Sequence, residues 1–396
     1  MDTVLTFFSR RWRFLIVCLL IGIFAYILLF RGLNTLTGGL YAQPETVSQQ
    51  QSWTFSNILQ NPVNAPHKLL TLSVIAFDNH NILVTRAVSA SLAGMFALLF
   101  YWIALHWYSK RVALLATIMF VSSSGFLHIG RYGTGMVLQM ATLIVIGCIL
   151  LYRRTKHETR MLYLVVSLLS LCLYIPGIIW FEIIGLIVMR KRMLHIIRKI
   201  NKKHFLGLGL LVILLVSPLV AAVISNTSTL RDVFAIPVHI PSANDLLQNL
   251  IHLMSSVFYR GYWPHEYWLH GAPLLTIAEG TLFVAGLLVL AQRPILRGNY
   301  FLLGSLILST LLITFGGSVT IAMLIPLVYL TIAGGIYYLL NEWLSIFPRS
   351  PVARFTGVAL LTVLVATSVM YHLNAYYTAW SNAPETKATY VIKPSL

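Results

Sequence analysis

Only eleven Asp and Glu stand in a chain of 396 residues, so each can be weighed for the chemistry it could do. Glu45 comes first. It follows Pro44 in a long polar segment, and a carboxylate there either serves as a proton acceptor or meets the free amides of a helix start. Lys68, beside His67 and ahead of an apolar run, offers a compact charge for a phosphate or a snorkelling anchor at a lipid boundary. Arg86 lies just inside an apolar run, where a guanidinium is costly without a partner, a lipid phosphate or water. Arg131 and Tyr132 form a polar turn between two apolar runs. His265, Glu266 and His270 bring imidazole and carboxylate close enough to hold a divalent metal, although their spacing matches no ligand motif, and belt aromatics Trp263, Tyr267 and Trp268 give a plain interfacial loop as the other reading.

The elements that must position these groups are membrane helices. With 58% hydrophobic and 10% charged residues, the chain is read as an all-α polytopic membrane protein. Apolar runs predict about eleven spans, near 14–30, 83–107, 112–128, 135–152, 161–175, 177–189, 204–225, 273–291, 299–316, 319–340 and 355–373. The Pro176-Gly177 pair divides the fifth from the sixth. Ser9-Arg10-Arg11-Trp12-Arg13 before the first run predicts an uncleaved anchor with a cytoplasmic N-terminus. Alternating from there, most of the 28 basic residues fall on the cytoplasmic side, so the net charge of +17 reads as topology and not as nucleic-acid binding. Residues 1–396 then form a single integral membrane domain. Its non-cytoplasmic parts are loops 31–81 and 226–272, the short turn 128–134 and a C-terminal tail, 374–396.

Amphipathic helices are expected over Thr46–Leu59 and Ala243–Val257, together roofing a cavity. Of the remaining acids, Asp78 and Glu266 are the next choices for a base. Cys18, Cys148 and Cys172 sit in apolar runs and read as packing residues.

The stretch TRAVSASLAGMFALLFYWIALHWYSKRVALLATIMFVSSSGFLHIGRYGTG, with Arg86, Gly94, Tyr101 and Arg131 in order, and the later IAMLIPLVYLTIAGGIYYLL with Pro326 and Gly334, resemble GT-C glycosyltransferases of the protein O-mannosyltransferase and aminoarabinose transferase type. The likeness covers roughly residues 10–340 and is more topological than motif-exact. It implies a GT-C fold and inverting transfer of a sugar from a polyprenyl-phosphate carrier to a lipid, glycan or protein acceptor at the non-cytoplasmic face. Glu45 would then be the base, with Lys68, Arg131 and Arg260 on the departing phosphate. Where the family carries an Asp-Glu pair this chain has Pro44-Glu45, and Gly130 to Met136 holds no second acid. A catalytically inactive relative that binds lipid-linked sugar or assembles with envelope proteins is the alternative. A transporter fits less well, because mid-membrane charges are few, with Glu182 the main one, and no paired broken helices appear in matching halves.

Overall fold

The computed structural model describes residues 2–75, 83–154, 159–292 and 297–392. Among these, regular structure is helical apart from one antiparallel bridge between Tyr41 and Ile392. Helix α1 (Asp2–Phe30) leads into three short helices, α2 (Gln43–Gln50), α3 (Phe55–Gln60) and α4 (Ala65–Ile75). The bundle continues through α5 (Leu83–Trp107), α6 (Lys110–Ser122), α7 (Ser124–Arg131), α8 (Thr142–Arg154), α9 (Thr159–Cys172), α10 (Ile178–Lys199) and α11 (Lys202–Ser225). After the short α12 (Thr227–Phe234) and α13 (Ala243–Phe258) come α14 (Ile277–Gln292), α15 (Arg297–Thr314), α16 (Ile325–Ile346), α17 (Pro351–Asn374) and α18 (Pro384–Thr389).

Five helical stretches among the described residues are long and apolar enough to cross a membrane, and α6 with α7, bent by 58°, makes a sixth. Four shorter apolar helices accompany them. Two of the long stretches, Lys202–Ser225 and Pro351–Trp380, bury only 17% of their apolar windows inside the protein. Their exposed Leu, Ile and Val side chains need an apolar solvent, so the chain is a helical protein of the lipid bilayer.

Three expected boundaries move for local reasons. The helix expected over 46–59 is two helices, because the Thr54 hydroxyl accepts from the Asn57 amide and starts α3 anew. The span expected over 112–128 breaks at Ser123, whose hydroxyl caps the Phe126 amide and donates to Phe120 O. The break expected at Pro176-Gly177 is present, with Gly177 at φ +76°, but α10 continues to Lys199 instead of ending near 189.

The tightest helix pair is α14 with α16. A Cβ on Gly335 would lie 2.0 Å from Leu282 O, so only glycine lets the two backbones approach this closely. Lys110, Arg111, Lys202, Lys203, Arg349 and Arg354 stand at the joins of α5 with α6, α10 with α11 and α16 with α17, and α2, the 132–134 turn and tail residues 376–390 gather at the other end of α5, around Arg86.

Candidate functional site

At the loop-bearing end, α2 begins at Gln43 and places Glu45 in its first turn, fully buried. One carboxylate oxygen accepts from Arg86 Nε at 2.7 Å and from the Gly133 amide at 3.0 Å. The other accepts from Arg86 Nη2 at 2.6 Å and from the Ala42 amide at 3.1 Å. Four donors fill the four lone-pair positions of the carboxylate. Arg86 also donates to Leu33 O and Leu40 O, and its guanidinium lies 4.2 Å from the centre of the Tyr41 ring. Gly133 is required by this approach, since a Cβ there would stand 2.6 Å from Thr85 Oγ1 and 3.1 Å from Glu45 Oε1.

Next to this pair, α7 carries His128 and Arg131 into a narrow cleft, with room for about one water in roughly 20 Å³. Arg86, Tyr132 and Glu266 also line it, and Tyr376, Trp380 and Tyr390 of the tail close it. Arg131 is buried, and its partners among the described residues are neutral. Its Nη1 donates to Leu28 O and the Tyr377 hydroxyl, and its Nη2 to Arg31 O. The Tyr376 and Tyr377 rings lie 5.2 and 5.3 Å from it. Its Nε has no partner among the described residues, and neither has His128 Nδ1. A buried cation with an open donor and no carboxylate is an arrangement that an anion completes.

The tail is fastened over the cleft. Tyr390 donates to Glu266 O, Trp380 Nε1 donates to His265 O, and Tyr41 and Ile392 exchange backbone hydrogen bonds.

Arg86, Arg131, Tyr132 and Glu266 therefore share one cleft, and Glu45 stands behind Arg86. His67 and Lys68 are buried on α4 away from the cleft lining. His67 Nε2 lies 2.9 Å from Ser89 Oγ, and Lys68 Nζ donates to Asn61 O at 2.7 Å. Burial, with the neighbouring Lys68 charge, pushes the His67 imidazole down to about 4, and burial brings the Lys68 ammonium down to about 8. Arg260 is exposed beyond the end of α13 and does not line the cleft. Asp78 lies outside the described residues. The His265 and His270 rings are 5.0 Å apart, but among the described residues no group of three or more His, Cys, Asp or Glu is placed to hold a metal.

Two features of the site have no local signature that marks them in the sequence. The tail aromatics Tyr376, Tyr377, Trp380 and Tyr390 fall in the expected C-terminal tail with no role assigned to them, since nothing local says that residues near 390 pair with residue 41. The other is a network one helical turn beneath the cleft, where His372 Nε2 donates to Glu279 at 2.8 Å and Ser124 lies 3.0 Å from His372 Nδ1. Tyr329 and Ser368 donate to the same carboxylate, and Thr276 closes a capping box with it. The signal present in sequence was Thr276-x-x-Glu279, which reads as a helix start and nothing more. The chain matches no protein-family model, and no curated protein matches it.

Proposed function

We propose that the chain is a GT-C-like membrane glycosyltransferase that moves a sugar from a polyprenyl-phosphate carrier to an acceptor hydroxyl at the non-cytoplasmic face. In this reading about eleven spans cross the bilayer, the basic end of the bundle is cytoplasmic, and the cleft faces the opposite side. The observation that carries it is Arg131, a buried guanidinium with neutral partners and an open Nε lining a cleft that also holds a carboxylate.

The acceptor hydroxyl attacks the anomeric carbon, the bond from that carbon to the phosphate oxygen breaks, and the carrier phosphate leaves with the electron pair. Arg131 stabilises the charge that develops on this phosphate. Glu266, half-buried in the cleft lining, takes the hydroxyl proton. Glu45 positions Arg86 and the 132–134 turn. Because the cleft has room for only about one water, substrate entry displaces the tail from Tyr41 and Glu266.

A second reading, a non-catalytic protein that binds lipid-linked sugar, is favoured by one fact. The first-loop acid has all four acceptor positions filled by Arg86 and two backbone amides.

The deciding experiment incubates the full chain in bilayers with a panel of polyprenyl-phosphate sugars, following both transfer and binding. Transfer that falls with Arg131→Gln supports the enzyme. Saturable binding of a donor with no transfer to any acceptor supports the second reading, and neither binding nor transfer overturns both. Cysteine labelling from the two sides tests the orientation, with Gln49 and Ser242 expected to react from the side opposite Asn201.

A further inference from the structure

A larger space lies elsewhere in the bundle. Helices α8, α9, α10 and α11 enclose a groove of about 480 Å³, within the roughly 300–1,000 Å³ common for small-molecule sites. Its walls are apolar almost throughout, with Leu169, Met189 and Leu208 among them. From Glu182, near the start of α10, to Met193 the lining runs eleven residues, or roughly 16 Å at about 1.5 Å per residue. On the α11 side only 17% of the apolar window is buried inside the protein, so lipid-soluble molecules can reach the groove sideways.

Among the described lining residues, one acid, Glu182, faces this apolar space. The Oε1 of Glu182 is buried without a hydrogen-bond partner, and neither salt bridge among the described residues involves it. Among the described residues, no Lys, Arg or His lines the groove. A carboxylate at membrane depth is costly unless something pairs with it, so a ligand that brings a cation to this point and an apolar chain to the rest fits both halves of the site.

We infer that the groove is a binding site for a single-chain amphiphilic amine, its ammonium on Glu182 and its chain running along α10 toward Met193. The anionic donor of the proposed transfer reaction has the wrong charge for Glu182, so this site and the Arg131 cleft stand or fall separately.

The test uses the full chain in phosphatidylcholine nanodiscs, labelled by dodecylamine that carries a photoreactive diazirine in its chain. Label is expected on α9, α10 and α11, displaced by dodecylamine but only weakly by dodecanol and not by dodecyl phosphate. Glu182→Gln, which keeps the side chain's shape, should weaken amine labelling by roughly tenfold or more and leave dodecanol competition unchanged. A Cβ at Gly209 meets nothing within 4 Å, so Gly209→Phe places a ring in the groove without a backbone clash and should block labelling. Equal competition by amine and alcohol in the wild type overturns the inference, as does label confined to other helices. Labelling of either variant at the wild-type level also overturns it.

Discussion

Glu45 and Arg86 stand 41 positions apart in the chain and meet through two parallel hydrogen bonds of 2.7 and 2.6 Å, both side chains buried. This pair joins the first polar segment to α5, and the Gly133 amide ties the turn after α7 to the same carboxylate. Breaking it leaves a buried charge without its partner. Glu45→Gln is expected to destabilise the protein by about 3–5 kcal/mol, and Glu45→Leu with Arg86→Met to recover much of that loss. Thermal unfolding in detergent checks this. A Glu45→Gln protein that melts with the wild type but has lost transfer would make Glu45 the base and not a positioning residue.

Gly133→Ala tests the packing of the same turn. The added methyl meets Thr85, Glu45 and Arg86 at 2.6–3.2 Å, and the loss expected is about 1–3 kcal/mol. Gly22→Ala is the control, since a Cβ at Gly22 meets nothing within 4 Å, and it should melt no lower than the wild type. Equal melting of wild type and Gly133→Ala would show that the turn adjusts freely.

Arg131 and Glu266 should fail in different ways if the cleft performs transfer. Arg131→Gln removes charge from the leaving phosphate and should weaken donor binding as well as turnover. Glu266→Gln should leave donor binding intact and slow turnover by roughly 100- to 10,000-fold. Steady-state kinetics with a saturable donor separates the two, and wild-type turnover by Glu266→Gln would place the proton acceptor elsewhere.

Acid stability should report His67. Burial holds its folded-state imidazole at about 4, against 6.5 for an ordinary histidine. Between these values the unfolded chain binds the proton and the folded chain does not, so stability rises with pH and is lost as pH falls from 6.5 toward 4. Above 6.5 both states are neutral and this contribution is flat. His67→Gln, which has no group titrating there, should show a shallower acid limb in unfolding measured from pH 7 to pH 4. Superimposed limbs would remove His67 as the cause.

Much of the architecture was legible because it rests on local rules. Apolar runs of crossing length, the break at Pro176-Gly177 and the amphipathic stretch that becomes α13 each depend on residues a few positions apart. The single helix expected over 46–59 failed because one capping hydroxyl, at Thr54, outweighed periodicity that was otherwise correct. The candidate site was less legible. Arg86 and Arg131 attract notice as charges in apolar surroundings, yet they differ in kind. Arg86 is neutralised by a carboxylate, and among the described residues Arg131 meets carbonyls, a phenol and aromatic faces.

By itself, the sequence determined that this chain is a helical membrane protein, and which few charged groups must answer for their burial. Composition and apolar run length are enough for that, because the cost of desolvating a charge or an unpaired backbone does not depend on which partner relieves it. Which partner does so was decided only by the tertiary structure. Packing of α1, α2, α5 and α7 brought Glu45 to Arg86 and left Arg131 with no acid partner among the described residues, and the return of the tail brought Tyr390 onto the loop that carries Glu266. These contacts span tens to hundreds of positions, and no spacing in a single chain encodes a meeting that depends on how the helices between are stacked.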